Sequence, residues 1–295
     1  MNRRASRIDI YNILETVSSS EQVQLQLKSW RAESMRIGFV PTMGALHEGH
    51  ISLLRKAQEQ CQKVIVSIFV NPTQFNDAKD LSNYPRTLER DSRLLEANGL
   101  DLLFVPSAKE MYPNGLQKET YEFGSLTVGM EAANRPGHFD GVATVVSHLF
   151  DACSPDVAFF GEKDFQQLQI IRALVSLQNR PIEIVGCPIM REESGLAMSS
   201  RNQLLSPEAR QNAAVIYKSL KELREQAHKV EPKKLKEDFK EKLKGIPNAE
   251  LEYIKICDER GLLEVNELNS NEQLRAFAVV RFEGVRLLDN LSLFP

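Results

Sequence analysis

Short, continuous apolar runs alternate along the first two-thirds of the chain with stretches of helical periodicity. The runs lack interleaved polar residues, which is typical of strands buried on both faces of a sheet. Strands separated by helices need crossover connections, and these are right-handed and produce a parallel sheet. The sequence therefore predicts an α/β fold with a Rossmann-like parallel sheet. Five strands are predicted, at residues 37–40, 64–70, 100–105, 157–160 and 182–185.

Amphipathic helices are predicted between these strands, because apolar side chains recur there at a spacing of three or four residues. Strands and helices that alternate in this way support the parallel sheet. The predicted apolar stripes are Ile51, Leu54, Ala57 and Cys61; Leu88, Leu94 and Leu95; Val142, Val145, Val146 and Leu149; and Leu168, Ile171 and Val175.

The pattern changes after about residue 190. Ser206 followed by Pro207 is typical of an N-cap and a first helical turn. An apolar stripe follows through Ala209, Ala213, Ile216, Leu220 and Leu223. Residues 233–244 are dense in charge but keep Leu235, Phe239 and Leu243 on one face. This pattern indicates a helix with a solvated face rather than a polyanion site.

Three further strands are predicted near the end of the chain, at 251–257, 276–282 and 285–289. A turn at Glu283-Gly284 joins the last two. We therefore divide the chain into a Rossmann-like domain at 1–189 and a smaller α+β lid domain at 190–295.

Composition limits the classes of function. Of 295 residues, 42% are hydrophobic and 26% charged, and the net charge is -3. This balance argues against a general nucleic-acid binder, and no apolar segment is long enough to span a bilayer. The four cysteines are scattered without a CxxC pair, which favours reduced thiols in a cytoplasmic protein. We expect small-molecule partners, no nucleic acid and no membrane.

Ligands of an open parallel sheet bind beyond the carboxyl ends of its strands. Polar and cationic residues recur at these positions, which predicts a binding site at one edge of the sheet. The candidate segments that follow the predicted strands are 41–50, 71–75, 161–164, and 188–191 with 198–202.

His47 and His50 lie three residues apart where a helix should begin. Both imidazoles can then share one face beside the free N–H groups and the positive end of the helix dipole. Gly49 would let a ligand approach the backbone, so the segment suits a nucleotide phosphate. It is neither a GxGxxG turn nor a P-loop. The alternatives are surface or capping histidines, or a zinc site without the HExxH spacing or an obvious third ligand.

The segment GALHEGH at 44–50 resembles the His-x-Gly-His signature of the nucleotidyltransferase superfamily, and MSSRN at 198–202 sits where that superfamily has a mobile phosphate loop. Longer strings are similar in order and spacing to the pantothenate synthetase (pantoate–β-alanine ligase) family. They are FVPTMGALH at 39–47, VNPTQF at 70–75, YPR at 84–86, RPGHFDGV at 135–142 and FGEKDFQQ at 160–167. The resemblance starts near residue 13 and leaves 1–12 as an N-terminal extension.

This resemblance implies an ATP-dependent, AMP-forming acid–amine ligase. ATP and pantoate would give pantoyl-adenylate and pyrophosphate, and β-alanine would then displace AMP to form pantothenate. The resemblance also implies a homodimer and Mg²⁺ on the phosphates, although no motif identifies protein ligands for the ion.

The residues that match the family's motifs fall into three groups. The implied catalytic residues are His50, His47, Lys163 and Arg201. The implied ATP-binding residues are Met43, Gly44, Ala45, Leu46, His47, Glu48, Gly49, His50, Gly161, Glu162, Lys163, Asp164, Met190, Met198, Ser199, Ser200 and Arg201. Gln74 and Gln167 would bind pantoate or β-alanine.

Individual roles follow from the resemblance. The two histidines and Lys163 would contact the triphosphate, and Ser199, Ser200 and Arg201 would hold pyrophosphate. Gly161 and Asp164 would bind the ribose, and the Met190 backbone the adenine. Secondary, non-catalytic contacts are expected from Asn71, Tyr84, Arg135 and His138.

Two rival functions stay open on the sequence. One is another nucleotidyltransferase of the same fold, and the other is a non-catalytic nucleotide-binding protein. Taken alone, Lys163 or Arg201 could be a solvated surface cation.

Residues 76–83 are polar and follow a predicted strand, so we also predict that they form a gate over the site.

Overall fold

A six-stranded parallel sheet forms the larger part of a computed structural model, which describes residues 14–75 and 78–294. The predicted extension at 1–12 and residues 76 and 77 of the predicted gate lie outside the described residues. The strands are β1 (Glu15–Val17), β2 (Ile37–Thr42), β3 (Lys63–Ile68), β4 (Leu102–Phe104), β5 (Val157–Gly161) and β6 (Glu183–Cys187). Their spatial order is β1-β4-β3-β2-β5-β6.

The predicted strands correspond to β2 through β6, which confirms the Rossmann-like parallel sheet. Every pairing is parallel, and the strand order reverses between β2 and β5, where Gly38 lies opposite Val157. Strand β1 was not predicted. Its residues Glu15 and Thr16 are exposed and only Val17 is buried, so no apolar run marks it.

Helices cover the sheet and fill the connections between strands. They are α1 (Ser20–Ala32), α2 (Glu48–Gln60), α3 (Ala78–Asn83), α4 (Leu88–Ala97), α5 (Ala108–Met111), α6 (Glu131–Asn134), α7 (His138–Cys153) and α8 (Phe165–Leu177). The predicted stripes of α2, α7 and α8 are buried. Leu88 departs from its predicted stripe, because it begins α4 on the solvent side while Leu95 enters the core.

The C-terminal part contains helices α9 (Pro207–Asn212), α10 (Val215–Gln226) and α11 (Pro232–Leu243), and an antiparallel sheet. The sheet consists of β7 (Ala249–Asp258), β8 (Leu274–Phe282) and β9 (Val285–Ser292). This confirms the predicted smaller α+β part. Glu283 and Gly284 have φ of 50° and 79°, as the predicted tight turn requires. The predicted stripe after Ser206 is buried, but it is divided between α9 and α10.

The apolar core is divided in a way that accords with a boundary near residue 190. One cluster of buried side chains begins at Leu196 and ends at Leu293 within the C-terminal part. Phe277 and Cys257 of the small sheet instead pack with the core of the parallel sheet. The boundary at 189/190 therefore stays a prediction. Among the described residues, no helix is both long and apolar enough to cross a membrane.

Candidate active site

The carboxyl ends of β2, β3, β5 and β6 open into one cleft with a volume of about 270 Å³. This is where the strand order reverses, as expected for a ligand site in an open parallel sheet. The predicted residues that line the cleft are Met43, His47, Gly49, His50, Gln74, Gly161, Lys163, Asp164, Gln167, Met190, Met198, Ser199, Ser200 and Arg201. The structure thus brings together residues from four separate segments of the chain.

The other predicted ATP contacts do not line the cleft. They are Gly44, Ala45, Leu46, Glu48 and Glu162. Glu48 forms an ion pair with Arg55, and the Glu162 carboxylate lies 3.6 Å from Arg275. Their predicted contacts with ATP therefore stay predictions.

The turn after β2 shows why three of these residues are not exposed to a ligand. Gly44 and Ala45 have φ of 84° and 51°, so consecutive N–H groups point to one side. Asp91 on α4 occupies that side and accepts bonds from the N–H groups of Ala45 at 2.8 Å and Leu46 at 3.0 Å. The Thr87 hydroxyl donates to the same carboxylate at 3.0 Å. A buried side chain therefore takes the place that an anionic ligand could have filled.

The hydrogen bonds of the two histidines determine their tautomers. His47 is the N-cap of α2, and its Nδ1 accepts a bond from the Gly49 N–H at 3.1 Å. His50 Nδ1 accepts from the His47 N–H at 3.2 Å. A backbone N–H can only donate, so both Nδ1 atoms are unprotonated. The neutral rings therefore carry their hydrogen on Nε2.

Both rings are neutral near pH 7. Burial, followed by the charges of His47 and Lys163, lowers the pKa of His50 to about 3. Burial is also the main cause of the lowered pKa of His47, with Lys163 and Arg90 adding to it. The ring centroids are 4.2 Å apart, so the site holds two adjacent neutral donors.

Gly49 lines the cleft, and it also has a packing role that the sequence did not indicate. A Cβ at this position would lie 2.8 Å from His47 Cε1, closer than a real contact allows. The absent side chain thus makes room for the His47 ring. Both histidines cap α2 and also line the cleft, so the capping interactions leave a ligand-binding role open.

The Gln74 side chain is held by a buried network at the carboxyl end of β3. Asn71 Nδ2 donates to Gln74 Oε1 at 3.1 Å and to the Gly141 carbonyl at 3.1 Å. The Tyr112 hydroxyl donates to Asn71 Oδ1 at 2.7 Å. Asn71 was predicted as a secondary contact, but it does not line the cleft and instead orients Gln74.

His138 and Arg135 lie beside Gln74 in the cleft wall. The His138 ring contacts the Gln74 carbonyl through Nδ1 at 2.8 Å and Arg135 through Nε2 at 3.2 Å. A carbonyl only accepts, so His138 carries its hydrogen on Nδ1, opposite to His47 and His50. Burial and then the Arg135 charge lower its pKa to about 4. Both ring nitrogens are engaged, which argues for a structural role.

The segment that follows β6 reaches the cleft as a hairpin. The Met198 N–H donates to the Met190 carbonyl at 2.9 Å, so the backbone group expected to bind adenine already has one partner. Asn202 Nδ2 ties the loop to Glu192 at 2.7 Å and to the Ala197 carbonyl at 3.1 Å. These bonds fix the loop that presents Ser199 to the cleft.

Two side chains that the sequence did not indicate connect the site to the C-terminal sheet. Arg191 at the base of the hairpin makes a bidentate ion pair with Asp289. Its Nη1 donates to Oδ2 at 2.6 Å and its Nη2 donates to Oδ1 at 2.9 Å. Asn290 Nδ2 donates to the carbonyls of Glu162 and Lys163, both at 2.9 Å. No local pattern distinguishes Asp289 or Asn290 from the polar residues of other strands. Asp289 is the last residue of the predicted strand 285–289 and Asn290 follows it directly, which was the only signal available.

A metal site built from protein side chains has no support in the part of the chain that the structure describes. It contains no group of three or more His, Cys, Asp or Glu residues placed to hold an ion. His47 and His50 also use their Nδ1 atoms as acceptors of backbone hydrogen bonds, which leaves only Nε2 for other contacts.

Comparisons of the sequence with a family model and with known proteins indicate the same family. Residues 14–292 match the pantoate-β-alanine ligase family. A pantothenate synthetase of Christiangramia forsetii is 45% identical over 279 residues, which cover 94% of this chain and 99% of that protein.

Solved structures agree with the sequence comparison. A pantothenate synthetase from Thermus thermophilus superposes with a TM-score of 0.87 at 42% identity, covering 96% of this chain and all of that one. A pantoate-β-alanine ligase from Francisella tularensis, solved in complex with β-γ ATP and β-alanine, has a TM-score of 0.78 at 35% identity. The Francisella superposition covers 95% of this chain and 98% of the Francisella chain.

Proposed function

Because this chain belongs to the pantoate–β-alanine ligase family, we propose that it joins pantoate to β-alanine with ATP through a pantoyl-adenylate. In the first step, a pantoate carboxylate oxygen attacks the α-phosphorus and the bond to pyrophosphate breaks. In the second, the β-alanine amine attacks the acyl carbon, AMP leaves, and the amine proton passes to solvent. The products are pantothenate, AMP and pyrophosphate.

One observation carries this proposal: His47 and His50 are adjacent neutral donors in the same cleft as Lys163. Charge grows on the phosphate oxygens as pyrophosphate leaves. Donors already oriented toward that position stabilise the charge without reorganisation. A neutral imidazole provides such a donor without needing a proton from solvent.

The remaining lining residues suit the other parts of the substrates. Lys163 and Arg201 would meet the phosphates, and Ser199 and Ser200 would hold pyrophosphate. The Gln74 amide, oriented by Asn71, would bind pantoate together with Gln167. The β-alanine in the Francisella relative supports the same amine as the second substrate here.

Mg²⁺ is expected to accompany the triphosphate. The described residues offer no cluster of ligands for it, so phosphate oxygens and water would supply most of its octahedral shell. When bound, the ion would neutralise phosphate charge.

We also propose a cytoplasmic homodimer, a division between domains at 189/190 and a gate at 76–83.

The proposal is tested by supplying ATP, pantoate and β-alanine and detecting pantothenate and AMP by mass spectrometry, with each substrate omitted in turn. Pyrophosphate exchange into ATP should require pantoate but not β-alanine, because activation comes before attack by the amine. Exchange that needs the amine, or that proceeds without pantoate, contradicts the two-step order.

A further inference from the structure

Strand β9 of the C-terminal sheet ends against the turn that carries Lys163. Asn290 on this strand is buried, and its Nδ2 donates to the carbonyls of Glu162 and Lys163 at 2.9 Å each. Both hydrogens of the amide are therefore used on neighbouring peptide groups. The bonds act on the backbone from which the Lys163 side chain projects into the cleft.

The orientation of the Asn290 amide is fixed from its other side. Arg275 Nη1 donates to Asn290 Oδ1 at 2.6 Å. Arg275 is itself held by Glu259 at 2.9 Å and stacks 4.0 Å from the centre of the Phe165 ring. A guanidinium has donors only, so the amide oxygen must face Arg275 and the NH₂ group must face the Lys163 turn.

The preceding residue fixes the opposite wall of the cleft. Asp289 is buried and holds Arg191 by two hydrogen bonds, at the base of the hairpin that precedes Ser199. Arg191 also lies 3.6 Å above the Tyr217 ring. Two adjacent residues of one strand thus bind both segments that would contact the phosphates.

We propose that Asn290 is a positioning residue for Lys163, acting during adenylate formation through the backbone of residues 162 and 163. The inference rests on the proposed function. Lys163 has a flexible stem, so its ammonium can meet the transition state only if its backbone is held in place. A misplacement of about 1 Å can cost about 10²-fold in rate. Asn290 is only 2% exposed and does not line the cleft, so it would exert this effect through the backbone of the Lys163 turn.

The first test compares Asn290→Ala and Asn290→Asp with wild type in pantoate-dependent pyrophosphate exchange. We expect kcat to fall on the order of 10- to 10²-fold in both, with KM for pantoate little changed. Asn290→Asp preserves the side-chain volume but turns an acceptor toward two carbonyl oxygens. Ser292→Ala, on the same strand, is the matched control and should keep wild-type kcat. Thermal unfolding verifies that each variant is folded.

The second test repeats Asn290→Ala in a Lys163→Ala background. If Asn290 acts through Lys163, the second substitution should change the remaining rate by no more than about twofold. The same loss in both backgrounds would show that Asn290 acts independently of Lys163 and would overturn the inference. So would wild-type kcat in both single variants, or failure of both to fold. A wild-type protein that makes no pantothenate would instead contradict the proposed function.

Discussion

At the scale of single residues, the positions of their ring hydrogens separate the three histidines that line the cleft into two kinds. His47 and His50 accept backbone N–H groups through Nδ1, while His138 donates through Nδ1 to a carbonyl. The first two therefore offer Nε2–H to a ligand, and the third has both nitrogens occupied. Residue type alone predicted three imidazoles near the site, but their bonding separates the two roles.

His50→Ala should impair formation of the adenylate more than its consumption. In the first half-reaction charge develops on the α-phosphate, which a neutral imidazole donor can stabilise. In the second, attack is at the acyl carbon and AMP is a good leaving group. We expect a loss on the order of 10²–10³ in pantoate-dependent pyrophosphate exchange, and a smaller loss in pantothenate release from supplied pantoyl-adenylate.

The exposed His228 provides the matched control, because His228→Ala lies outside the cleft and should leave both half-reactions unchanged. Comparable losses for His50→Ala in both halves would instead indicate a role toward the amine. If neither half-reaction is slowed, His50 is not a catalytic residue.

His138 should make the protein less stable at mildly acidic pH. Its folded pKa of about 4 lies below the ordinary value of 6.5, mainly through burial, so the unfolded chain binds the extra proton between these values. The stability from this group is present above pH 6.5 and is lost as the pH falls toward 4. The slope is up to about 1.4 kcal/mol per pH unit.

Urea unfolding at several pH values between 4.5 and 7 measures this effect. His138→Asn keeps a donor near the position of Nδ1 but cannot titrate, so its stability should fall less steeply with acid than that of wild type. The matched control, His228→Asn at an exposed position, should retain the wild-type slope. Equal slopes for all three proteins would contradict a buried neutral His138.

At the scale of elements, helix α4 determines the shape of the turn between β2 and α2. Asp91 accepts two N–H groups from that turn and a hydroxyl from Thr87, and its side chain is fully buried. Asp91→Asn would replace one carboxylate oxygen by an NH₂ group facing a donor. A buried group left without its partner costs about 1–3 kcal/mol, so unfolding in urea should become easier by this amount.

Glu89→Gln on the same helix is the matched control for Asp91→Asn. Glu89 makes an exposed pair with Arg93, and such pairs contribute about 0–1 kcal/mol. Because the turn leads directly to His47, Asp91→Asn should also slow pyrophosphate exchange. Wild-type stability in this variant would mean that the turn holds its left-handed backbone without Asp91.

At the scale of the whole molecule, Arg286 of the C-terminal sheet joins the two parts of the chain. It bonds to Glu131 on α6 at 2.6 Å and to Glu252 on β7 at 2.7 Å. The Tyr253 hydroxyl donates to the same Glu131 carboxylate at 2.8 Å. The Glu131 side chain is only 9% exposed, so its charge depends on these partners.

Arg286→Ala should therefore destabilise the protein by about 3 kcal/mol, because removing one partner of a buried pair leaves the other charge uncompensated. Urea unfolding gives the free energy, and hydrogen exchange in α6 should increase. Arg281→Ala is the control, since Arg281 contacts the same Glu252 at 3.2 Å but is 43% exposed. A loss as large for Arg281 as for Arg286 would argue against a special role for the contact with Glu131.

The sequence by itself determined the positions of the main strands along the chain, the α/β class and the segments that meet in the cleft. Its signals were local: apolar runs such as 37–40, stripes such as that of α2, and the polar residues that follow each strand. A buried strand must be apolar whatever its neighbours are, so these features were visible without knowledge of the fold. The short edge strand β1 was missed because only Val17 is buried.

Only the tertiary structure decided which side chains hold the site in place. Asp91 is 46 residues from the Ala45 N–H that it accepts, and Asn290 is 127 residues from the Lys163 carbonyl. A polar residue gives no local sign of a partner so distant, because the hydrogen bond depends on where folding brings both groups. The sequence thus determined which segments reach the cleft, and the packing of α4 and β9 decided how their residues are held.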